Sequence, residues 1–421
     1  MSDQNQEKPV LDGVSRRSFL GVGSAALATV AMAGIAAQAQ QRDDTAKAES
    51  DHSSNDPGPE NRSLLEINPN TNTPPPTDHG DIGPIWYSFD LVRKRVEEGG
   101  WTHQVTQREL SPSVDLAGVN MRLTSGSFRE LHWHTANEWA FMEYGSARVT
   151  VLNPDGTMFI DDVHEGDLWF FPAGYPHSIQ GLGPDGCQFL LVFDEGKFSE
   201  DNTFLISEFV AHVPPEVLTK NSHMSPSDIA KLPKEQLYIF PAPLPQSLAA
   251  DRAAIGGSNL ASQQYTFKMT SMVPTIKNAG GEVRIVDSSN FPASTSIAAG
   301  LLRIKPGGMR ELHWHPNASE WSFWLAGKGR MTIVMPEGRA RTMDFQANDV
   351  GFVPAIAGHY IENTGNTDLV VLEMFKAPHF MDISLNNWIG RMPPEMAMAH
   401  LNLDRAGLKK IPSEKQELIA G

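Results

Sequence analysis

Two sets of histidine and glutamate side chains recur at matched spacing and have the chemistry of metal ligands. The first set is His132, His134, Glu138 and His177, and the second is His313, His315, Glu320 and His359. Three imidazoles and one carboxylate supply four ligand atoms for a single cation. The sequence therefore predicts two metal sites, carried by two copies of one domain.

The spacing indicates how the chain positions these ligands. In a β-strand alternate side chains share a face, so His132 and His134 point together while Trp133 points to the opposite face. Trp314 has the same relation to the second set, which favours packing or subunit contact for both tryptophans. Glu138 begins the next apolar run and His177 follows a later turn, so each site closes only when separate strands meet.

The ligand set limits the metal without selecting one. Because it contains nitrogen and oxygen donors and no thiolate, manganese, iron, nickel and zinc all suit it. Cys187 is the one cysteine in the chain, so an intramolecular disulfide is excluded, and its apolar flanks indicate a buried thiol.

Composition and length favour two β domains. The chain has 421 residues with 35 glycines and 30 prolines, and its short apolar runs are bounded by turns. The predicted organisation is a signal peptide (1–39), a flexible polar leader (40–81), a first domain (82–212), a helical connection (213–264) and a second domain with a helical tail (265–421). This layout leaves open whether the two domains exchange terminal segments.

The first 39 residues carry an export signature. Arg16 and Arg17 precede a weakly apolar stretch, and Ala37-Gln38-Ala39 resembles a cleavage signal. They predict export by the twin-arginine route to the periplasm or the medium, and an uncleaved membrane anchor is the alternative interpretation. After processing we expect no membrane contact.

The net charge argues against polyanionic partners. The formal value is −16, and residues 1–39 contribute equal numbers of acidic and basic side chains, so processing leaves it unchanged. Nucleic acid and anionic membranes are excluded as expected partners. A small anionic substrate would need local cations, namely the metal and a nearby arginine.

The ligand spacing and its flanks resemble the two motifs of the cupin superfamily. The first copy reads G-x5-H-x-H-x3-E-x6-G, followed by Gly166-Asp167 and by Pro172-x-Gly174-x2-His177, whereas the second has Asn348 and Ile356 at two of the glycine positions. The resemblance implies an all-β protein of two cupin barrels, each a double-stranded β-helix or jelly roll, with short flanking helices.

Longer segments resemble the bicupin oxalate decarboxylases. These are Arg129 to His134, its repeat Arg310 to His315, and Phe198 to Phe204. The resemblance implies manganese in each barrel, two per chain, with dioxygen as a catalytic co-substrate and oxalate as substrate. It also implies that Arg129 binds oxalate, that Glu200 on a lid handles the proton, and that the chain forms a homo-oligomer, a trimer or hexamer.

The lid and the second site leave alternatives open. The lid reads Ser-Glu-Asp-Asn where the family has Ser-Glu-Asn-Ser, which keeps the acid but changes its neighbours. Glu373 is either an acid beside the second metal or a structural partner of Arg310. Without a positioned acid the same site would be an oxalate oxidase, giving carbon dioxide and hydrogen peroxide. A cupin dioxygenase on another small acid shares the ligands, and a non-catalytic bicupin would need neither metal nor acid.

Overall fold

Strands make up most of both halves of the chain, as the short apolar runs predict. The computed structural model describes residues 59–71 and 74–421. The predicted export signal and the leader up to residue 58 lie outside the described residues. No helix in the described part of the chain is long and apolar enough to cross a bilayer.

The first barrel is an antiparallel structure whose strands lie mainly between residues 95 and 193. Three short strands from later in the chain complete it. In chain order after β1 (Trp86–Ser88) its strands are β2 (Arg95–Glu97), β3 (Gly100–Val105), β4 (Ala117–Leu123), β5 (Phe128–Trp133), β6 (Glu138–Leu152), β7 (Met158–His164), β8 (Leu168–Phe171), β9 (His177–Gly181), β10 (Cys187–Phe193), β11 (Phe204–Leu205), β12 (Ile239–Phe240) and β13 (Thr266–Phe267).

The second barrel repeats this arrangement as two facing sheets. Its strands are β14 (Ile276–Asn278), β15 (Gly281–Val286), β16 (Ala298–Ile304), β17 (Met309–Trp314), β18 (Glu320–Ala326), β19 (Lys328–Val334), β20 (Ala340–Gln346), β21 (Asp349–Val353), β22 (Gly358–Asn363), β23 (Leu369–Phe375), β24 (Ile383–Ser384) and β25 (Leu418–Ile419). Two packed antiparallel sheets with short strands form a jelly roll, which confirms the predicted fold class.

One glycine in each barrel marks the bend between its sheets. Gly145 has φ 73° and Gly327 has φ 86°, a left-handed conformation that favours glycine. In the first barrel the long strand β6 continues through this bend and joins both sheets, whereas in the second barrel the bend separates β18 from β19. The matched glycines of the motif thus have the same structural role.

Short helices flank the barrels. They are α1 (Arg62–Ile67), α2 (Ile206–His212), α3 (Pro215–Ser222), α4 (Pro226–Ile229), α5 (Leu248–Ile255), α6 (Leu385–Arg391), α7 (Pro394–Leu401) and α8 (Arg405–Leu408). Helix α2 lies at the end of the predicted first domain, α3 to α5 lie in the predicted connection, and α6 to α8 lie in the predicted tail.

The barrels exchange short strands, which differs from a simple division at residue 265. Strand β1 pairs with β21 of the second barrel, and β13 pairs with β8 of the first. Each segment therefore covers a strand of the neighbouring barrel, because that strand's backbone groups need partners at the edge of the sheet.

Part of the predicted leader also contacts the second barrel. The backbone N–H of Thr342 donates to Asp78, and Asn70 exchanges hydrogen bonds with the backbone of Asp344. Polar side chains provide these contacts, so a segment with little apolar surface still docks through hydrogen bonds. The stretch around Asn70 and Asp78 of the predicted leader therefore has defined polar contacts with the second barrel.

The two barrels pack against each other through one apolar layer. Phe89 contacts Phe323 edge to face, with ring centroids 5.6 Å apart. A Cβ on Gly118 would lie 2.5 Å from the Trp321 ring, so the strand approaches closely only because it has no side chain there. This packing fixes the orientation of the sheets that carry the two sites.

Candidate metal centres and active site

The first barrel brings together the four residues of the first motif. His132 lies on β5, His134 follows it, Glu138 begins β6 and His177 begins β9. One ligand-type atom from each lies within 4.8 Å of the others. Glu138 Oε2 is 3.2 Å from Nε2 of His134 and 3.5 Å from Nε2 of His177, so both imidazoles surround one carboxylate oxygen.

Backbone carbonyls fix the tautomer of each imidazole in this site. Nδ1 of His132 donates to Glu130 O at 2.6 Å, Nδ1 of His134 to Ala136 O at 2.8 Å, and Nδ1 of His177 to Tyr175 O at 2.8 Å. A carbonyl can only accept, so Nδ1 carries the hydrogen and Nε2 keeps its lone pair. This outer contact is the usual way in which a metal-binding histidine is oriented.

The second barrel repeats the cluster with His313, His315, Glu320 and His359. Glu320 Oε2 lies 3.2 Å from Nε2 of His315 and 3.1 Å from Nε2 of His359. Their Nδ1 atoms again donate to carbonyls, although His315 uses Met381 O from a distant loop. The extra residue before Glu320 therefore leaves the cluster intact.

Burial and neighbouring charges keep these groups in the form that binds metal. Burial, followed by the charge of Arg129, lowers the pKa of His132 well below its usual range, which keeps its imidazole neutral. Burial opposes ionisation of Glu138, yet its contacts with His134 and His177 hold its pKa below the ordinary value. A neutral imidazole next to an ionised carboxylate is the state required for coordination.

Several of these buried polar atoms fit a cation. Among the described residues, Nε2 of His177, His313 and His315 and Oε1 of Glu320 have no hydrogen-bond partner. A buried nitrogen lone pair without a donor is costly unless something coordinates it. The donor set and its orientation therefore fit one metal ion in each barrel.

Arg129, Glu200 and Tyr238 form the wall of the first site. Arg129 Nη2 lies 3.3 Å from Glu200 Oε2, and the Tyr238 hydroxyl donates to the same oxygen at 2.6 Å. The guanidinium also lies over the Tyr238 ring, 4.3 Å from its centroid. Nε and Nη1 of Arg129 have no partner in the described part of the chain, although the residue is only 1 % exposed.

Arg310 stands at the matching position of the second barrel but is already paired. It forms an ion pair with Asp382, and its Nη1 lies 2.5 Å from Glu417 Oε2. Lys415 pairs with both acids and completes the network. The guanidinium of Arg310 therefore has much less capacity for an added carboxylate than that of Arg129.

Glu373 faces the interior of the second barrel near Glu320. Neither of its carboxylate oxygens hydrogen-bonds to a described residue, so it is not the hydrogen-bonded partner of Arg310 that one interpretation of the sequence expects. Burial, followed by the negative charge of Glu320, raises its pKa well above the ordinary value.

Sequence reasoning missed Tyr238, Asp382 and Glu417. They come from segments far along the chain that pair with β5 and β17: Tyr238 directly precedes β12, and Glu417 precedes β25. Both have positive φ, 54° and 60°. Glu130, which lies inside the motif Arg129 to His134, anchors this segment by accepting the backbone N–H of Leu237 at 3.0 Å.

The motif tryptophans point away from the metal ligands, as strand alternation predicts. Trp133 stacks on Phe204 with centroids 5.6 Å apart, and Trp314 contacts Trp388 at 5.8 Å. Phe204 and Trp388 are each about half exposed, at 51 % and 56 %. Each tryptophan therefore belongs to an apolar outer surface of its barrel.

Comparisons with known proteins agree on the family. The cupin family profile matches residues 92–230 and 267–407. The chain is 47 % identical over 352 residues to oxalate decarboxylase OxdC of Bacillus subtilis (strain 168), covering 84 % of this chain and 91 % of that protein. It is 37 % identical to a probable oxalate decarboxylase of Arthroderma benhamiae, covering 86 % and 90 %.

Solved structures support the same relationship. A structure of Bacillus subtilis oxalate decarboxylase described for its Mn(II) centres superposes with a TM-score of 0.82 at 45 % identity, covering 86 % of this chain and 96 % of that one. The repeated cupin match, the full-length relatives and the shared fold lead to one assignment. The chain belongs to the bicupin oxalate decarboxylase family of the cupin superfamily.

Proposed function

We propose that this protein is a manganese- and dioxygen-dependent oxalate decarboxylase, which converts oxalate and a proton into formate and carbon dioxide, and that the first barrel performs the reaction. The observation that carries this proposal is the buried guanidinium of Arg129 near the first ligand cluster, which is only partly hydrogen-bonded. Its Nε and Nη1 have no partner among the described residues, so this guanidinium has N–H donors to spare in a buried site. A planar fork of this kind matches a carboxylate in a bidentate arrangement.

The acid for the reaction is already in contact with this arginine. Glu200 lies within reach of Arg129 and of the Tyr238 hydroxyl, so its carboxylate is held at the wall of the site. Burial, followed by the negative charge of Glu200, raises the pKa of Tyr238 well above its usual range, so the phenol remains a donor. In the proposed reaction Glu200 accepts the proton of bound hydrogen oxalate and later donates a proton to carbon.

The metal sites fit manganese in the first barrel and in the second, two per chain. Three imidazole nitrogens and one carboxylate, without a thiolate, suit a divalent metal of this kind. When bound, manganese with dioxygen supplies one-electron redox chemistry for breaking the carbon–carbon bond. Support for this metal comes from the Mn(II) centres of the Bacillus subtilis relative.

The protein's own residues determine which products leave. If Glu200 protonates the one-carbon fragment that remains after carbon dioxide departs, the product is formate. If no acid is in place, dioxygen oxidises that fragment and the products are carbon dioxide and hydrogen peroxide. The changed lid, with Asp201 after Glu200, makes oxalate oxidation the second candidate function.

The second barrel is proposed as the supporting site. Arg310 is satisfied by Asp382 and Glu417, and breaking such a buried pair is costly, so oxalate would have to displace existing partners. Glu373 has the position of an acid beside the ligands, but it lacks a free arginine next to it.

Assembly and location follow as further parts of this proposal. Leu131, Phe204 and Phe209 on one barrel, and Leu312 and Trp388 on the other, are large apolar side chains that are 42 % to 56 % exposed. Apolar surfaces of this kind suit contact with further copies of the chain, as in a trimer or hexamer. Arg16 and Arg17 support export by the twin-arginine route to the periplasm or medium. Light scattering of the purified protein and fractionation of cells test these two points.

The deciding experiment gives manganese-loaded mature protein oxalate at mildly acidic pH under air. Formate, carbon dioxide and hydrogen peroxide are measured together, with metal-free protein as the control. Formate and carbon dioxide in a ratio near one are expected. Dominant peroxide would establish the oxidase instead, and turnover of neither kind would reject both functions.

A further inference from the structure

Two cavities adjoin the segment that carries Glu200. One of about 700 Å³ is lined by Arg95, Glu200, Asp201 and Tyr238 among others. The other, of about 360 Å³, is lined by Phe198, Ser199 and their neighbours. Protein interiors are normally close-packed, so free volume beside Ser199 to Asp201 leaves room for this part of the segment to move, while Phe198 stays stacked on Phe193.

The reactive groups cannot be reached without such a movement. Arg129 is 1 % exposed, His132 is 3 % exposed and Glu138 is wholly buried, whereas Glu200 and Tyr238 also line the larger cavity. Glu200 and Tyr238 therefore form the wall between that cavity and the ligand cluster. A contact that holds Glu200 and Tyr238 in this position therefore also positions the proposed proton donor, Glu200.

Arg95 contacts Tyr238 and Asp201, the residue after Glu200, from the cavity side. Its guanidinium lies over the Tyr238 ring, 3.6 Å from the centroid. Its Nη1 lies 3.8 Å from Asp201 Oδ1, and its Nε is held by Glu97 Oε1 at 2.6 Å. One side chain on β2 therefore connects the residue after Glu200 with the phenol that hydrogen-bonds to Glu200.

We propose that Arg95 is a positioning residue for Glu200, which holds the segment Phe198–Asn202 closed through Asp201 and Tyr238. The expected effect of Arg95 on turnover rests on the proposed decarboxylase function. A cation over the Tyr238 ring holds the phenol in place and favours donation of its O–H to Glu200 Oε2. Asp201 is 82 % exposed on its side chain, so its ion pair with Arg95 is weak enough to break in each turnover.

The negative charge of the segment explains why a cation is needed on its outer side. The segment carries Glu200 and Asp201 next to each other, and the protein is already strongly acidic. Arg129 stabilises Glu200 from inside the barrel, whereas Asp201 faces outward. Arg95 supplies the cation that Asp201 requires when the segment is closed.

The test compares three variants with the wild-type holoenzyme. Arg95→Gln removes the charge and the stacking cation, Arg95→Lys keeps the charge, and Asp201→Asn removes only the outer ion pair. Arg108→Gln is the matched control, because Arg108 lines both cavities, is 80 % exposed and pairs with Glu109, and interacts with Asp201 only through longer-range charge. Thermal melts establish that each variant is folded.

Two readouts are taken. Hydrogen exchange of a peptide that covers residues 198–204 measures closure, because Glu200 N donates to Gln104 and Thr203 N donates to Glu200 O in the closed segment. We expect severalfold faster exchange in Arg95→Gln and Asp201→Asn, with partial restoration in Arg95→Lys and no change in Arg108→Gln. In turnover, we expect kcat of Arg95→Gln to fall about tenfold, as for loss of one charged contact, with a raised peroxide-to-formate ratio and little change in KM.

The proposal is overturned if exchange in Arg95→Gln equals that of the wild type, or if the product ratio and kcat remain unchanged while exchange increases. A raised KM with unchanged kcat in Arg95→Gln would mean that Arg95 attracts the substrate and does not position Glu200, and this result would also overturn the proposal. If the wild-type protein makes no formate, the proposed function fails, and the exchange comparison still decides whether Arg95 holds the segment closed.

Discussion

Exchanging each site arginine for lysine should separate catalysis from structure. Arg129 and Arg310 occupy equivalent positions one residue before a buried glutamate, and both are 1 % exposed. Arg129 has two unpartnered guanidinium nitrogens, whereas Arg310 is bound to Asp382 and Glu417. Lysine keeps the charge in both cases but removes the planar fork. The same substitution therefore has a different consequence in each barrel.

The magnitude for Arg129→Lys follows from the contacts that lysine cannot make. A hydrogen bond to a charged group contributes about 1.5 to 3 kcal/mol, and about 1.4 kcal/mol corresponds to a factor of ten. Loss of one contact of the two-pronged arrangement should therefore lower kcat/KM about tenfold to 150-fold. The melting temperature should change little, because Arg129 contacts only Glu200 at 3.3 Å and the Tyr238 ring, and the lysine cation can keep both contacts.

Arg310→Lys should show the opposite pattern. The substitution leaves Asp382 and Glu417 buried with fewer donors, and disrupting a buried ion pair costs up to about 3 to 5 kcal/mol. We expect a clear fall in melting temperature and an unchanged kcat/KM per manganese in the first site. The assay is formate production against oxalate concentration, with calorimetry and metal analysis on the same samples.

The reasoning about the two barrels is refuted if Arg310→Lys lowers kcat/KM as strongly as Arg129→Lys while its melting temperature is unchanged. That result would mean that oxalate displaces Asp382 or Glu417 and reacts in the second barrel. Arg108→Lys, at a position 80 % exposed, serves as the control for lysine substitution in general.

Three further predictions concern the acid, the metals and the pH dependence. Glu200→Gln should retain the contact with Tyr238 but move the products from formate toward hydrogen peroxide, which paired product assays measure. His177→Ala should abolish activity and His359→Ala should largely preserve it, each lowering manganese from about two to about one per chain by elemental analysis. Burial raises the pKa of Asp349 to about 7, so folding is favoured by its protonated form and stability falls as pH rises from about 4 to about 7. Asp349→Asn should therefore show a smaller loss of melting temperature between pH 5 and pH 8 than the wild type, and an equal loss would contradict the assignment.

The metal clusters could be predicted from sequence because strand geometry determines them locally. His132 and His134 share a face by alternation alone, and the same rule applies to His313 and His315. The single residue inserted before Glu320 is absorbed by a loop. Ligands that lie within a motif therefore reach the same place whenever the strand forms.

The walls of the sites could not be predicted in this way. Tyr238 is more than a hundred residues from Arg129 in the chain, and it reaches the site only because Glu130 accepts the backbone N–H groups of Leu237 and Tyr238. No spacing rule connects these segments. The pairing of β1 and β13 with the neighbouring barrel could not be predicted either, because a two- or three-residue strand has too little periodicity to indicate its partner.

The difference between the barrels arises at two positions that the repeated motif does not contain. Tyr238 and Glu417 both precede the strand that pairs with the arginine's strand, and both adopt positive φ. A phenol at this position leaves the arginine in need of an acceptor, whereas a carboxylate satisfies it. Asp382 adds a second acceptor for Arg310. It directly precedes β24, and the residue at the equivalent position before β11 of the first barrel is the uncharged Thr203.

This divergence has a testable consequence for the duplicated fold. If the arginine's partners decide which barrel binds oxalate, then Glu417→Gln together with Asp382→Thr should free Arg310 and allow the second barrel to bind the dianion. Two charges that now compete with oxalate would be removed, while the ligands His313, His315, Glu320 and His359 stay in place. In an Arg129→Lys background, this double substitution should restore measurable oxalate affinity by calorimetry. Failure to gain binding in a folded, manganese-loaded variant would show that the free arginine is insufficient and that Tyr238 or the segment around Glu200 is also required.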